Sequence, residues 1–139
     1  MIILDTNVIS ELQKPSSNPK VVDWLNDQEP TNLYLTSVTI AELMFGAFSS
    51  PVGKCATGLQ NVVVEIIEDE FRDRILVLDS KAAQVYGRRM AECRRNRKAV
   101  GVPDGQIAAI AIANNMAQVA TRDVAPFEAM GVEVINPFV

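Results

Sequence analysis

Residues 1–10, "MIILDTNVIS", begin the chain with a short apolar run that ends on an aspartate. The run at 2–4 is typical of a buried strand, and a short helix is predicted from about Asn7. Asp5, between the two, has two possible interpretations. It could be the N-cap of the helix, or it could lie at the mouth of an acidic site beyond the end of the strand.

Short apolar runs alternate with longer helical patterns through the rest of the chain. The predicted strands are residues 2–4, 33–38, 75–78, 118–121 and 132–135. The predicted helices after the first cover residues 18–28, 39–48, 59–67, 82–93 and 105–115, with a breaker-rich connection at 49–58. This alternation predicts an α/β fold with a mostly parallel central sheet flanked by helices, an α/β/α sandwich. A single domain is expected over 1–139, since no repeat or linker interrupts the chain.

The composition restricts the chemistry that the chain can perform. It contains no histidine, and Cys55 and Cys93 are far apart in sequence, which excludes Ser-His and Cys-His nucleophilic pairs and histidine zinc sites. Hydrolysis would therefore have to use carboxylates, hydroxyls, lysines or a hard metal bound by oxygen. No apolar run approaches the roughly 20 residues that span a bilayer, and the first residues do not resemble a secretory signal. A cytoplasmic protein without a membrane partner is expected.

Acidic side chains follow several of the predicted strands. Asp5, Asp79 and Asp123 come after the first, third and fourth strands, Glu42 lies in the first turns after the second, and Asp104 opens the helix at 105–115. The carboxyl ends of parallel strands share one edge of a sheet, so these acids are expected to converge there. Oxygen ligands of this kind suit Mg²⁺ or Mn²⁺.

Each acid also has a purely structural interpretation. The four aspartates could be helix N-caps, and Glu42 stands three residues after Thr39, which is the spacing of a capping box. Asparagine, serine or threonine would cap equally well, yet this edge uses a charge each time. The spacing alone does not say which of the five acids lies outside a metal site.

A second charged feature is basic. Although the net charge is −4, seven of the 13 basic residues lie between Lys81 and Lys98. The candidates for RNA phosphate contact are Arg88, Arg94, Arg95, Arg97 and Lys98. The alternative is a solvated helix end whose cations favour the negative end of the helix dipole.

Four blocks of sequence resemble, in order and separation, the signature blocks of PIN-domain ribonucleases, in particular the VapC- and FitB-type toxins of bacterial toxin–antitoxin operons. The blocks are "MIILDTNVISEL" at 1–12, "TIAELMFG" at 39–46, "PDGQIAAIA" at 103–111 and "VATRD" at 119–123. The resemblance implies a PIN-like α/β/α fold and an endoribonuclease that depends on Mg²⁺ or Mn²⁺. It also implies that Asp5, Glu42, Asp104 and Asp123 form the acidic site, which leaves Asp79 as a helix cap.

The same resemblance implies a role for each residue of the site. Asp5 and Asp104 would be the main metal ligands, Glu42 would bind the metal or orient the attacking water, and Asp123 would complete a second or outer position. Asn7 and Thr121 match polar positions that support such a site, whereas Arg122 receives no catalytic role. Attack by metal-activated water should leave a 5′-phosphate and a 3′-hydroxyl without a cyclic intermediate.

The implied partners are an RNA substrate and a cognate antitoxin, expected to be a ribbon-helix-helix protein that contacts DNA, so that the chain meets DNA only indirectly. A homodimer is also implied. Two other functions remain open. An aspartyl phosphatase or phospho-receiver would also use an acid at a strand end, although Asn7 stands where the phosphatase needs a second aspartate and no lysine follows Lys98. The other is a non-catalytic subunit that binds a DNA-binding partner.

Overall fold

Five parallel strands make the central sheet of the computed structural model, which describes residues 1–49 and 53–139, without the side chains of Lys54 and Cys55. The strands are β1 (Ile2–Leu4), β2 (Leu33–Thr36), β3 (Ile75–Leu76), β4 (Gln118–Ala120) and β5 (Val134–Ile135). Their order across the sheet is β3-β2-β1-β4-β5, and every neighbouring pair is parallel. All five predicted strands are therefore present, most of them shorter than the sequence pattern indicated.

Helices connect the strands. They are α1 (Thr6–Leu12), α2 (Pro19–Asn26), α3 (Ser37–Ser49), α4 (Lys54–Glu65), α5 (Ser80–Arg95), α6 (Val102–Ala113) and α7 (Val124–Ala129). A π-helical turn at Ile66–Glu70 continues α4, and a 3-10 turn at Pro30–Asn32 precedes β2. The predicted connection at 49–58 is wrong at both ends, because α3 includes Ser49 and α4 already begins at Lys54, with Gly58 accommodated inside the helix. Residues 50–52 of that connection lie outside the described residues. In the described ranges, no helix is long and apolar enough to cross a membrane.

The helices cover both faces of the sheet, as the alternating pattern predicts. Ile2 and Leu4 of β1 point to one face, where they pack with apolar residues of α1 to α4. Ile3 points to the other face and packs with residues of α5, α6 and α7. Successive strand side chains alternate between faces, so each face of this short strand carries its own core. The α/β/α sandwich is confirmed, and Cys93 is buried in the second core.

Two helices differ from their sequence prediction because of proline. The helix predicted from residue 105 begins at Val102, so Asp104 lies inside its first turn and does not open it. Pro103 suits this turn because its missing N–H would have no helical partner there. Helix α7 was not predicted, since it spans only six residues and contains Pro126. That proline is tolerated because it also lies in the first turn.

Helices α5 and α6 approach each other closely at Gly105. A Cβ built at this position would lie 2.7 Å from the Met90 sulfur and 3.1 Å from a ring carbon of Tyr86, both on α5. The absence of a side chain at Gly105 therefore allows the two helices to pack at this separation.

The strand order creates a crevice beside β1. The chain proceeds from β1 to β2 and β3 on one side, whereas β4 and β5 lie on the other. The connections after β1 and β4 therefore leave in different directions at the carboxyl edge of the sheet, which is where open parallel sheets bind ligands. Asp5 follows β1 directly, and residues 121–123 follow β4.

Candidate active site

A cleft of about 330 Å³ opens at this carboxyl edge. It is lined by Asp5, Thr6, Asn7, Ser10, Glu11, Lys14, Glu42, Asp104, Arg122 and Asp123. The four acids predicted for the metal site all lie in its wall, and they come from four separate segments of the chain. Asp79 is absent from the wall.

Asp5 is almost completely buried, with 3% of its surface exposed. Its Oδ1 accepts a hydrogen bond from the Thr6 backbone N–H at 2.8 Å, and its Oδ2 accepts one from the Thr121 hydroxyl at 2.7 Å. Burial raises the pKa of Asp5 to about 6, and Asp104 and Glu42 add to this effect, although both hydrogen bonds oppose it. A simple helix cap would not need a charge in so unfavourable a position. The N-cap contact exists, but it does not explain the choice of aspartate.

Thr121 and Asn7 hold the segment after β4 against the segment after β1. The Thr121 hydroxyl, besides donating to Asp5, accepts from the Asp123 backbone N–H at 3.0 Å and from Asn7 Nδ2 at 3.1 Å. Asn7 Nδ2 also lies 3.4 Å from Asp123 Oδ2, while Asn7 Oδ1 accepts from the Arg122 backbone N–H at 3.2 Å. The two residues predicted to support the site thus connect two of its acids.

Glu42 is held from the opposite side by α1. Its Oε1 accepts a hydrogen bond from the Thr6 hydroxyl at 2.7 Å. The capping-box interpretation of Glu42 is wrong, because α3 begins at Ser37, before Thr39. The Thr36 hydroxyl instead accepts from the Thr39 backbone N–H at 3.1 Å, as an N-cap does. The Glu42 carboxylate is therefore free to face the cleft.

Of the other three candidate aspartates, two belong to the cleft and one is a helix cap. Burial raises the pKa of Asp104 in the first turn of α6, and the charges of Asp123 and Glu42 raise it further. Asp123 precedes α7 but its side chain makes no capping hydrogen bond there. Asp79, in contrast, accepts from the Ala82 backbone N–H at 2.9 Å and caps α5.

The residues of the cleft suit a hard divalent cation in their chemistry. All four acids offer oxygen, and the pKa values of Asp5 and Asp104 are raised first by burial and then by the negative charges of neighbouring acids. In the described part of the chain, no group of three or more acidic or thiol side chains is yet gathered closely enough to hold a metal ion. Two carboxylates about 4 Å apart repel each other by roughly 4 kcal/mol at an effective dielectric near 20, so spreading is expected without a cation. Side-chain rotation would have to complete the site.

The cations of the cleft are not those that the sequence indicated. Lys14 and Arg122 line the wall, whereas none of the predicted RNA-binding residues at 88–98 does. Lys14 Nζ lies 2.7 Å from Glu11 Oε2, and Arg122 Nη2 lies 3.9 Å from the same oxygen. The Lys14 hydrogen bond holds the pKa of Glu11 below its usual range. Glu11 lies in the last turn of α1 and Lys14 just beyond its end, three residues later, which is a spacing that favours pairing, but nothing local joins either residue to Arg122.

Comparison with known proteins identifies the family of the chain and supports its fold. The family model described as PIN domain matches residues 2–132. The chain is 43% identical to "VapC ribonuclease Y4jK" of Sinorhizobium fredii, over 99% of this chain and 98% of the relative. It is 38% identical to "Toxin FitB" of Neisseria gonorrhoeae, over 99% of both chains.

The three-dimensional likeness is equally extensive. A solved structure of FitAB bound to an IR36 DNA fragment contains a chain that is 37% identical to this one. The match covers 100% of this chain and 96% of that chain, with a TM-score of 0.94. A family match over most of the sequence, together with relatives that are similar over nearly all of it, shows that this chain belongs to the PIN domain family.

Proposed function

We propose that this protein is an endoribonuclease that uses Mg²⁺ or Mn²⁺ to hydrolyse RNA phosphodiester bonds, and that it acts as the toxin of a type II toxin–antitoxin pair. The observation that carries the proposal is the meeting of four carboxylates, from four segments, in one cleft of a chain that contains no histidine. Acid–base catalysis by imidazole is unavailable, so metal-assisted hydrolysis is the mechanism that these residues support best. The ribonuclease and toxin names of the relatives favour the same function.

Each acid has a distinct part in this mechanism. Asp5 and Asp104 would hold the cation: burial raises the pKa of both carboxyls, nearby acids raise it further, and a bound cation would offset both effects. Asp123 would complete a second or outer position. A bound Mg²⁺ or Mn²⁺ supplies Lewis acidity, which acidifies water and neutralises charge on the phosphoryl oxygens. Cleavage would leave a 5′-phosphate and a 3′-hydroxyl.

Glu42 would bind the cation or accept a proton from the attacking water. Since the Thr6 hydroxyl occupies Oε1 at 2.7 Å, Oε2 is the oxygen available for that task. Thr121 and Asn7 act through the carboxylates of Asp5 and Asp123, whose positions they fix by hydrogen bonds. Preorganisation of this kind reduces the rearrangement that binding and catalysis require.

The partners follow from the relatives. The FitAB structure combines a toxin-like chain with a second protein and DNA. For this chain we infer a cognate antitoxin of the ribbon-helix-helix class, contact with DNA only through that antitoxin, a homodimer, and a cytoplasmic location. An aspartyl phosphatase is disfavoured, because Asn7 occupies the position of the second aspartate and is hydrogen-bonded to Thr121.

The test is cleavage of total cellular RNA by antitoxin-free protein in Mg²⁺, Mn²⁺ or EDTA. Discrete cuts with 5′-phosphates are expected in either metal, and none in EDTA. Asp104→Asn should nearly abolish cleavage without unfolding the protein, because the amide keeps the size of the side chain but removes a ligand charge. Asp79→Asn is the matched control and should cut normally. Unaltered cleavage by Asp104→Asn would refute the four-acid assignment, and silence together with no Mn²⁺ binding would favour a non-catalytic subunit.

A further inference from the structure

The acidic cleft presents an electrostatic difficulty for an RNA substrate. Its wall contains five carboxylates and two cations, so it carries three net negative charges at neutral pH when all are ionised. A phosphodiester backbone would be repelled by such a wall even after one divalent cation had bound. Affinity for nucleic acid comes chiefly from cations that contact phosphates. Lys14 and Arg122 are the two cations of the wall that could offset this repulsion.

Arg122 is held in position without using its hydrogen-bond donors. Its backbone N–H donates to Asn7 Oδ1, and its guanidinium lies 4.1 Å from the centre of the Phe138 ring. The ion pair with Glu11 spans 3.9 Å, which is longer than a hydrogen bond. Among the described residues, no acceptor takes a hydrogen bond from this guanidinium, and its side chain is 51% exposed. A fixed arginine with free donors is suited to bind a phosphate through two of them.

Lys14 adds a second cation to the same wall. Its Nζ contacts the Glu11 oxygen that also faces Arg122, and its side chain is 57% exposed. Glu11 itself is 7% exposed, and its other oxygen accepts from the Asn18 backbone N–H at 3.1 Å. A buried, anchored carboxylate therefore gathers two exposed cations beside the catalytic acids. Arg122 also directly precedes Asp123, so the cationic and acidic walls are adjacent.

We propose that Lys14 and Arg122, gathered by Glu11, form a phosphate-binding subsite that takes the RNA backbone next to the bond being cut. The subsite rests on the proposed ribonuclease function and specifies how that function obtains its substrate. In it, Arg122 and Lys14 position RNA and take no part in the bond-breaking step. The main contact with the RNA backbone then lies in the cleft rather than at the basic end of α5.

The test measures binding separately from cleavage. The probe is a fluorescent 20-nucleotide single-stranded RNA of random sequence, titrated in EDTA at several salt concentrations with Asp104→Asn protein as the parent. Arg122→Gln and Lys14→Gln are added to that parent singly and together. Each lost phosphate contact should reduce the slope of log affinity against log salt by about 0.7, and the pair by about 1.4. The matched control is Arg72→Gln, an exposed arginine outside the cleft, which should leave the slope unchanged.

Two further variants separate this role from structural and competing ones. Glu11→Gln measures, by thermal unfolding, what the ion pairs contribute to stability. If Arg122→Gln lowered stability as Glu11→Gln does but left the salt slope unchanged, the cations would serve only Glu11 and the subsite would be refuted. Loss of slope in an Arg94→Gln, Arg95→Gln double variant alone would move the contact to α5. Absence of RNA binding by the parent would also overturn the subsite, whereas failure of the proposed metal-dependent nuclease would show separately, as cleavage that ignores EDTA or that Asp104→Asn leaves unaltered.

Discussion

Replacing Asp5 with asparagine should stabilise the metal-free protein at neutral pH, although it removes a proposed metal ligand. The pKa of Asp5 rises from 3.8 to about 6 on folding, chiefly because the side chain is buried. A difference of about 2 pH units corresponds to roughly 3 kcal/mol by which the ionised carboxylate destabilises the folded state. Asparagine carries no charge, so this penalty disappears. The variant loses one good hydrogen-bond acceptor, which costs about 1 kcal/mol. The net gain in the free energy of unfolding is therefore about 2 kcal/mol.

The pH dependence of this gain follows from the sign of the pKa change. The folded-state pKa lies above the unfolded value, so below about pH 4 the carboxyl is protonated in both states and the penalty is absent. It grows as pH rises and is complete above about pH 6. The advantage of Asp5→Asn should therefore be largest at pH 7.5 and should fade towards pH 4.

Urea unfolding in EDTA, at pH 7.5 and at pH 4.5, measures this advantage directly. Asp79→Asn is the control, because this exposed aspartate caps α5 and asparagine caps as well. Its stability should match the wild type at both pH values. Added Mg²⁺ should stabilise the wild type more than Asp5→Asn, since only the former retains the ligand charge. Asp5→Asn that is less stable than the wild type at pH 7.5, or equally stabilised at both pH values, would refute the reasoning.

Three other substitutions test separate parts of the site. Thr121→Val removes the hydrogen bond that lowers the pKa of Asp5, so the acid limb of the pH–activity profile should move to higher pH; an unmoved profile would contradict this. Thr6→Val releases Glu42 Oε1 and should lower kcat about tenfold while Mn²⁺ affinity, measured calorimetrically, changes little. Asp79→Ala should destabilise the protein by about 1 kcal/mol in urea unfolding but leave RNA cleavage intact.

The parts of the fold that the sequence predicted well are set by local chemistry. Asn18 followed by Pro19 predicts the start of α2, and Asn18 Oδ1 indeed accepts from the Lys20 backbone N–H at 3.0 Å. The strands follow from short apolar runs, and their parallel arrangement follows from the helices between them. The convergence of the acids on one edge then depends only on topology, which is why it could be anticipated.

What the sequence did not predict depends on tertiary contacts or on proline. Helices α6 and α7, one with a misjudged start and one missed, contain a proline in the first turn, where it is permitted but reads as a breaker. The start of α4 was misjudged by five residues because Gly58, which also reads as a breaker, lies inside the helix. The cations of the cleft were missed because Arg122 meets Glu11 only after β4 is placed beside β1. The basic residues near the end of α5 form a denser cluster in the sequence, and RNA contact by those residues stays a prediction.

The close approach of α5 and α6 at Gly105 lies next to one of the four acids of the cleft. Gly105 is the residue directly after Asp104, and it rests against Met90 and Tyr86 of a helix that contributes no acid to the cleft. The backbone beside Asp104 is thus packed against two side chains that do not line the cleft. Substitutions at positions 86 and 90 would therefore act on the backbone next to one acid of the cleft while leaving all four acids in the sequence unchanged.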